Sequence, residues 1–253
     1  MSLCKDCTIA TVWEGTPEGK TVKYGPTDVY IAEPKQGAGD KSKAVLLLTD
    51  VFGLGLVNNK LLADDWARAG YYTYVPDLFD GDYLTDARKG DPKFDLMGFI
   101  GAHGEDVTHK ILDPFVAKLK EDGITSFAAL GYCFGARYVF NLSFTNSITV
   151  GVVNHPSLLR VPDDLNKLSQ LSPAVPMLFN TCEVDQMYPA EAQAKGDEIL
   201  GNGSKEGKAY KRNYYDGCTH GFAVRGDIKD EKVKFGKEDS FKQSVEWLKK
   251  HDF

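Results

Sequence analysis

The run Ala44-Val-Leu-Leu-Leu-Thr49 is apolar at every position but its last, and a strand without polar alternation must be covered on both faces. A sheet with helices on both sides supplies that cover. The chain alternates accordingly. A helix over 59–69 stops at Gly70, a strand over 71–75 stops at Pro76, and an amphipathic stretch from about 106 to 121 leads into a strand over 126–130. Strands over 149–153, 176–180 and 209–215 follow, with helices over 189–200 and 240–250. In the last helix Phe241, Val245 and Leu248 fall at i, i+4 and i+7, one apolar face. Strands joined by helices of this length need right-handed crossovers, so the predicted fold class is α/β, a doubly wound, mostly parallel sheet with helices on both faces. Residues 20–33 read instead as two short antiparallel strands around a Gly25-Pro26 turn, Gln36-Gly-Ala-Gly-Asp-Lys41 as a loop, and the glycine-rich stretch 79–104 as a loop or lid. With 253 residues and no internal repeat, one domain over 1–253 is expected.

Charge and cysteine usage narrow the partners. Thirty basic and thirty-six acidic residues are well mixed and give a net charge of −6, which speaks against a phosphate-backbone ligand and so against a nucleic-acid partner. No apolar run approaches the roughly 18 residues of a membrane span, and Met1-Ser-Leu-Cys-Lys-Asp-Cys7 has no apolar signal core. The expectation is a cytoplasmic protein with no membrane partner, as a monomer or homodimer. Five cysteines, at 4, 7, 133, 182 and 218, form an odd set with no dense framework, which reads as free thiols in a reducing compartment. Cys4-x-x-Cys7 has no second pair beside it and reads as an exposed accident, the alternative being a redox or metal-binding pair. No histidine or cysteine spacing supports a metal site, and no cofactor is expected.

Directly after the strand over 126–130 comes Gly131-Tyr132-Cys133-Phe134-Gly135, followed by the helix-like Ala136-Arg-Tyr-Val-Phe-Asn-Leu142. This is G-x-S-x-G, the nucleophile elbow of α/β-hydrolases, with cysteine in place of serine. Chance supplies such a pentapeptide roughly 0.05 times in a chain of this composition, so its position between a buried strand and a helix carries the argument. The alternative is an inert cysteine in a tight turn. Glycines two residues either side let neighbouring backbone pass, and a helix N-terminus beside the sulfur favours thiolate.

An activated thiol needs a base, and in this fold acid and histidine follow the nucleophile in the chain, on loops after later strands. Asp185, in Thr181-Cys-Glu-Val-Asp-Gln-Met-Tyr-Pro189, and His220, in Asp216-Gly-Cys-Thr-His-Gly-Phe222, match that order. Glu183 competes with Asp185 for the imidazole. His155, in Val152-Val-Asn-His-Pro156, precedes the acid and reads as a pocket or structural residue, while His103, His109 and His251 read as solvated surface. The oxyanion hole needs two backbone N–H groups, one from the residue after the nucleophile and one from an earlier strand's loop. These map to Phe134 and Val51.

With these residues in place, the chain resembles the dienelactone hydrolase (carboxymethylenebutenolidase-like) family. Asp50-Val-Phe-Gly53, Pro76-Asp-Leu-Phe79, Gly131-Tyr-Cys-Phe-Gly135, Asp185 before Tyr188-Pro189, and His220-Gly-Phe222 carry the resemblance, in order over most of the chain. It implies a cofactor-free α/β-hydrolase with a Cys-Asp-His triad. Asp50 stands where the bacterial enzymes carry a glutamate beside the resting cysteine, and a carboxylate there disfavours free thiolate. Asp80-Gly-Asp82 stands where those enzymes have an arginine that helps hold the substrate carboxylate, which argues against dienelactone itself as substrate. Arg225 lies near the family's second arginine, one residue later, and reads either as a substrate-binding residue or as surface.

The expected reaction is attack of the Cys133 thiolate on a small ester or lactone, through a thioester acyl-enzyme. Two alternatives stand beside it. One is acyl transfer, lactonisation or isomerisation at the same site in a biosynthetic pathway, and the other is a non-catalytic binding module.

Overall fold

A computed structural model of the chain describes residues 8–35, 38–89 and 91–253; Cys4, Cys7 and the start of the expected loop at Gln36 lie outside the described residues. Its centre is a nine-stranded sheet. The strands are β1 (Lys20–Tyr24), β2 (Thr27–Ala32), β3 (Lys43–Leu48), β4 (Thr73–Pro76), β5 (Ser126–Tyr132), β6 (Val150–Asn154), β7 (Met177–Val184), β8 (Glu206–Gly207) and β9 (Tyr210–Thr219). They lie in the order β1-β2-β4-β3-β5-β6-β7-β9-β8. All neighbours from β4 through β9 run parallel, whereas β1, β2 and the short β8 pair antiparallel at the two edges. The predicted antiparallel opening is present, with Gly25 at φ 65 in its turn.

The unbroken run of β3 is doubly covered. Ala44, Leu46 and Leu48 join one core, Val45 and Leu47 the other, the period-two division of a pleated strand. Helix α1 (Val57–Arg68) brings Leu62, Ala63 and Trp66 to the second core, the short α8 (Phe222–Arg225) brings Phe222 and Val224, and the C-terminal helix α9 (Glu231–Lys250) adds Trp247 and Leu248. On the first face pack α4 (Glu105–Glu121), through Leu112, Phe115 and Leu119, α5 (Gly135–Phe144), through Val139 and Phe140, and α6 (Asp163–Ser169). Helix α7 (Ala190–Leu200) is tied to β9 by the buried Arg212, whose Nε donates to Asp197 Oδ1 at 2.9 Å.

Three expectations need correction. Part of the stretch 79–104 forms two short helices, α2 (Asp86–Lys89) and α3 (Leu96–Ala102), the latter capped by the Asp95 carboxylate. Phe79 and Phe99 from this stretch stack with each other, and Phe79 packs on Phe134 with ring centroids 4.9 Å apart. Glycine content suggested a loop, but aromatic burial overrides it. His103 is buried rather than solvated, with Nε2 2.9 Å from Asp82 Oδ2; His109 and His251 are partly exposed. Helix α9 starts nine positions before the expected Ser240: its first turns pack through Val233 and Gly236, while Phe235 points to solvent and blurs the periodicity.

Chain order along the sheet reverses between β3 and β5, since β4 lies on one side of β3 and β5 on the other. Crevices at such switch points, beyond the C-terminal strand ends, are where open α/β sheets bind ligands. The elbow sits there. A Cβ on Gly135 would fall 2.0 Å from the Leu48 carbonyl oxygen, and one on Gly131 2.6 Å from Ala136 Cα. Replacing Gly135 by Ala therefore forces α5 off β3, an overpacking cost of roughly 3 kcal/mol. Urea denaturation of Gly135→Ala is expected to show that loss as a lower midpoint with an unchanged slope; a wild-type midpoint would mean that α5 retreats freely.

Candidate active site

Cys133 occupies the turn between β5 and α5 with φ 51. A left-handed cysteine is strained and persists only where surrounding structure enforces it. Here the enforcement is main-chain bonding. Cys133 N–H donates to the Asn154 carbonyl at 3.1 Å, and the Cys133 carbonyl accepts from Ala136 and Ser157, each at 3.1 Å. The thiol is buried.

Two later strand ends deliver the partners. His220 follows β9, its N–H bonded to the Val184 carbonyl at 3.0 Å, and Asp185 follows β7. His220 Nδ1 lies 2.9 Å from Asp185 Oδ1, with both side chains nearly inaccessible. The same oxygen accepts the N–H groups of Met187 at 2.8 Å and Tyr188 at 3.1 Å, which fixes the carboxylate's orientation. Nε2 is thereby turned toward Cys133. Glu183 does not compete: it is exposed and accepts from Gly217 N–H at 2.7 Å. Burial pulls the His220 imidazolium down, but the Cys133 thiolate and the Asp185 carboxylate outweigh it and push the group up to about 10. Charges so placed favour the protonated imidazole.

Val51 follows β3 and Phe134 follows Cys133; neither backbone N–H donates to another of the described residues. Asp50, one residue earlier, is fully buried and takes Arg225 Nε on Oδ2 at 2.9 Å, with Asn59 Nδ2 and Phe52 N–H on Oδ1 at 3.3 and 3.2 Å. Burial raises the Asp50 carboxyl, Arg225 opposes the rise, and the Cys133 charge adds to it. Arg225 is buried rather than at the surface, and a second guanidinium nitrogen donates to the Ile9 carbonyl at 2.6 Å. Its Nε is directed at Asp50.

His155 is buried behind His220, ring centroids 5.0 Å apart, and is held well below the ordinary histidine range by burial and then by the charges of His220 and Arg225. It is a neutral wall of the site. Cys182 and Cys218 are buried, and burial pushes the Cys218 thiol up to about 11, which makes it inert at neutral pH. A cavity of about 340 Å³ is lined by Ile9, Thr11, His220, Phe222, Arg225 and Asp230, among others, a volume suited to a small molecule. Among the described residues no cluster of His, Cys, Asp and Glu could hold a metal ion, and no helix is long and apolar enough to cross a membrane.

Sequence reasoning missed Ser157. It is buried, and its Oγ lies 3.3 Å from Cys133 Sγ and 3.5 Å from His220 Nε2. The one available signal was its place on the loop after β6, at the sheet edge where the elbow also opens.

The model of the Dienelactone hydrolase family matches residues 27–252. Among curated proteins, the chain is 32% identical over 248 residues to "Hydrolase pyvD" of Aspergillus violaceofuscus, covering 97% of this chain and 95% of the relative. It is 29% identical over 249 residues to "Dienlactone hydrolase 1" of Gibberella moniliformis, covering 96% and 91%. Among solved structures, m3DLH superposes with a TM-score of 0.66 at 18% identity, covering 92% of this chain and 98% of that one. A family match over this much of the chain, on an α/β-hydrolase fold, has one meaning: the chain belongs to the dienelactone hydrolase family and is a carboxylic ester or lactone hydrolase.

Proposed function

We propose that this hydrolase cleaves a small ester or lactone by nucleophilic attack of Cys133, with His220 as acid and base and Asp185 as its orienting carboxylate. The reading rests above all on one observation: a cysteine held at φ 51 in a strand-to-helix turn faces a histidine whose far nitrogen lies 2.9 Å from a buried carboxylate. In the proposed cycle the thiolate adds to the carbonyl carbon, and the oxyanion takes the free N–H groups of Val51 and Phe134. The tetrahedral adduct collapses to a thioester as the imidazolium gives its Nε2 proton to the leaving alkoxide. Acylation converts the thiolate to a neutral sulfur, and one of the charges that raised His220 is gone. The imidazole is then a base suited to activating water against the thioester, which returns carboxylic acid and thiolate. The substrate is a free small molecule, and the setting we propose is the cytoplasm.

Asp50 and Arg225 set the charge around the sulfur in this reading. The carboxylate opposes the thiolate, and Arg225 offsets the carboxylate, so a substrate carboxylate reaching for Arg225 would compete with Asp50.

Replacing Cys133 with Ala is expected to leave the thermal midpoint within a few degrees of wild type and to remove hydrolysis of an activated aryl ester by more than about 10³-fold. Retained turnover, or a wild-type acyl-enzyme trapped on another residue by mass spectrometry, would overturn the assignment. Because His220 must carry its proton to the leaving group, kcat/KM should hold through neutrality and fall as pH rises through about 10; a profile still climbing there contradicts the ion pair. Asp50→Asn should speed alkylation of resting Cys133 by iodoacetamide, since the carboxylate charge that opposes the thiolate is then gone. The same change should lower stability, since Arg225 Nε then loses a buried anionic partner. An alkylation rate equal to wild type would remove Asp50 from control of the thiol.

A further inference from the structure

The loop after β6 is built around Ser157. Two non-glycine residues in it, His155 and Leu158, have φ of 36 and 64, left-handed conformations that are strained for side chains of this kind. Main-chain bonds hold the strain in place: His155 N–H donates to the Asn180 carbonyl at 2.8 Å, and Ser157 N–H donates to the carbonyl of Cys133 itself. The serine is thus registered against the elbow's own peptide unit. A buried serine commonly bonds back to a nearby carbonyl, but among the described residues the Ser157 hydroxyl has two hydrogen-bond partners only, Cys133 Sγ and His220 Nε2.

The three atoms are chemically complementary. A thiolate only accepts, an imidazolium only donates, and a hydroxyl carries one proton and two lone pairs. From Oγ, a single hydroxyl donates to the sulfur and accepts from Nε2 at once. We propose that Ser157 is a further catalytic residue, a hydroxyl bridge that sustains the Cys133 thiolate and His220 imidazolium in the resting enzyme. The bridge makes and breaks no covalent bond, and its proton stays on Oγ. This inference rests on the assignment of Cys133 and His220 as nucleophile and acid. The other charged or titratable groups facing the pair are Asp185 on Nδ1, the neutral His155 ring behind His220, and the Asp50–Arg225 pair beside the sulfur. Cys133 and His220 also hydrogen-bond each other directly, and the hydroxyl adds a second path between the same two groups that none of these neighbours supplies.

Ser157→Ala tests it, with Ser157→Thr as the variant that keeps a hydroxyl and Ser157→Gly as a second deletion should the alanine protein not fold. The probe is iodoacetamide, with its rate on Cys133 followed by mass spectrometry from pH 5 to 10, beside hydrolysis of an activated aryl ester. Loss of a charge-assisted hydrogen bond is expected to slow alkylation at pH 7 by about tenfold and to move the alkylation midpoint to higher pH. The threonine variant should restore both. A deletion variant that alkylates at the wild-type rate with the wild-type midpoint overturns the proposal, and so does one that loses thermal stability while its midpoint stays in place. Cys133→Ala keeps the two failures apart. If that variant still hydrolyses ester, the nucleophile assignment falls; if it is inactive while Ser157→Ala behaves as wild type, only the bridge falls.

Discussion

The close approach of α5 to β3 at Gly135 organises everything at the C-terminal edge of the sheet. In-register pairing of Leu48 with Gly131 brings the end of β3 level with the end of β5. The elbow must then turn within two residues, which is what forces Cys133 to φ 51. One constraint therefore sets three positions: the sulfur, the Phe134 N–H beside it, and the Val51 N–H just beyond β3. A helix that stood farther off would relax the cysteine and separate the two donors. Aromatic packing of Phe79 against Phe134 closes the same turn from outside, so the segment over the site braces the elbow it covers.

Buried charge is distributed in two kinds. Arg212 with Asp197, and Arg137 with Asp164, join helices to the sheet or to each other and have their charges matched inside the scaffold. Asp50 with Arg225, and His220 with Asp185, stand at the site. Isolated burial of any one of these would cost several kcal/mol. The site pairs differ in sharing a third charge, the Cys133 thiolate, which raises both Asp50 and His220. Chemistry at the sulfur is then felt by both pairs at once, whereas the scaffold pairs stay indifferent to it.

Legibility in the sequence followed the size of the physical signal. The β3 run and the spacing of Gly131, Cys133 and Gly135 predicted a doubly covered strand and an elbow because each leaves a pattern within a few residues. Chain order singled out Asp185 and His220, since each directly follows a strand, and the structure brings the two side chains together; exposure sets Glu183 apart, which spacing could not do. Ser157 was invisible for the opposite reason. Its role depends on a hydroxyl 24 positions from the cysteine and 63 from the histidine, on a loop whose strain belongs to its neighbours. His103 was misread because its burial comes from aromatic contact, and the start of α9 because an exposed Phe235 and a small Gly236 obscure the face that Val233 begins.

The proposed cycle needs one histidine to be a strong acid-holder before acylation and a base after it. Fixed surroundings alone cannot provide that, because Asp185 raises His220 in both states. The switch has to come from the group that changes, and only the sulfur does. Forming the thioester neutralises it, and in the same step takes away the hydroxyl bridge's anionic acceptor. Ser157 is then left with a proton free to donate and a lone pair free to accept, at the place where water must enter between His220 and the acyl carbon. A bridge that stabilises the resting pair thus becomes, without moving, a hydrogen-bonding partner for the hydrolytic water. The same loop geometry serves both halves of the reaction, which gives the strain at His155 and Leu158 a chemical reason to persist.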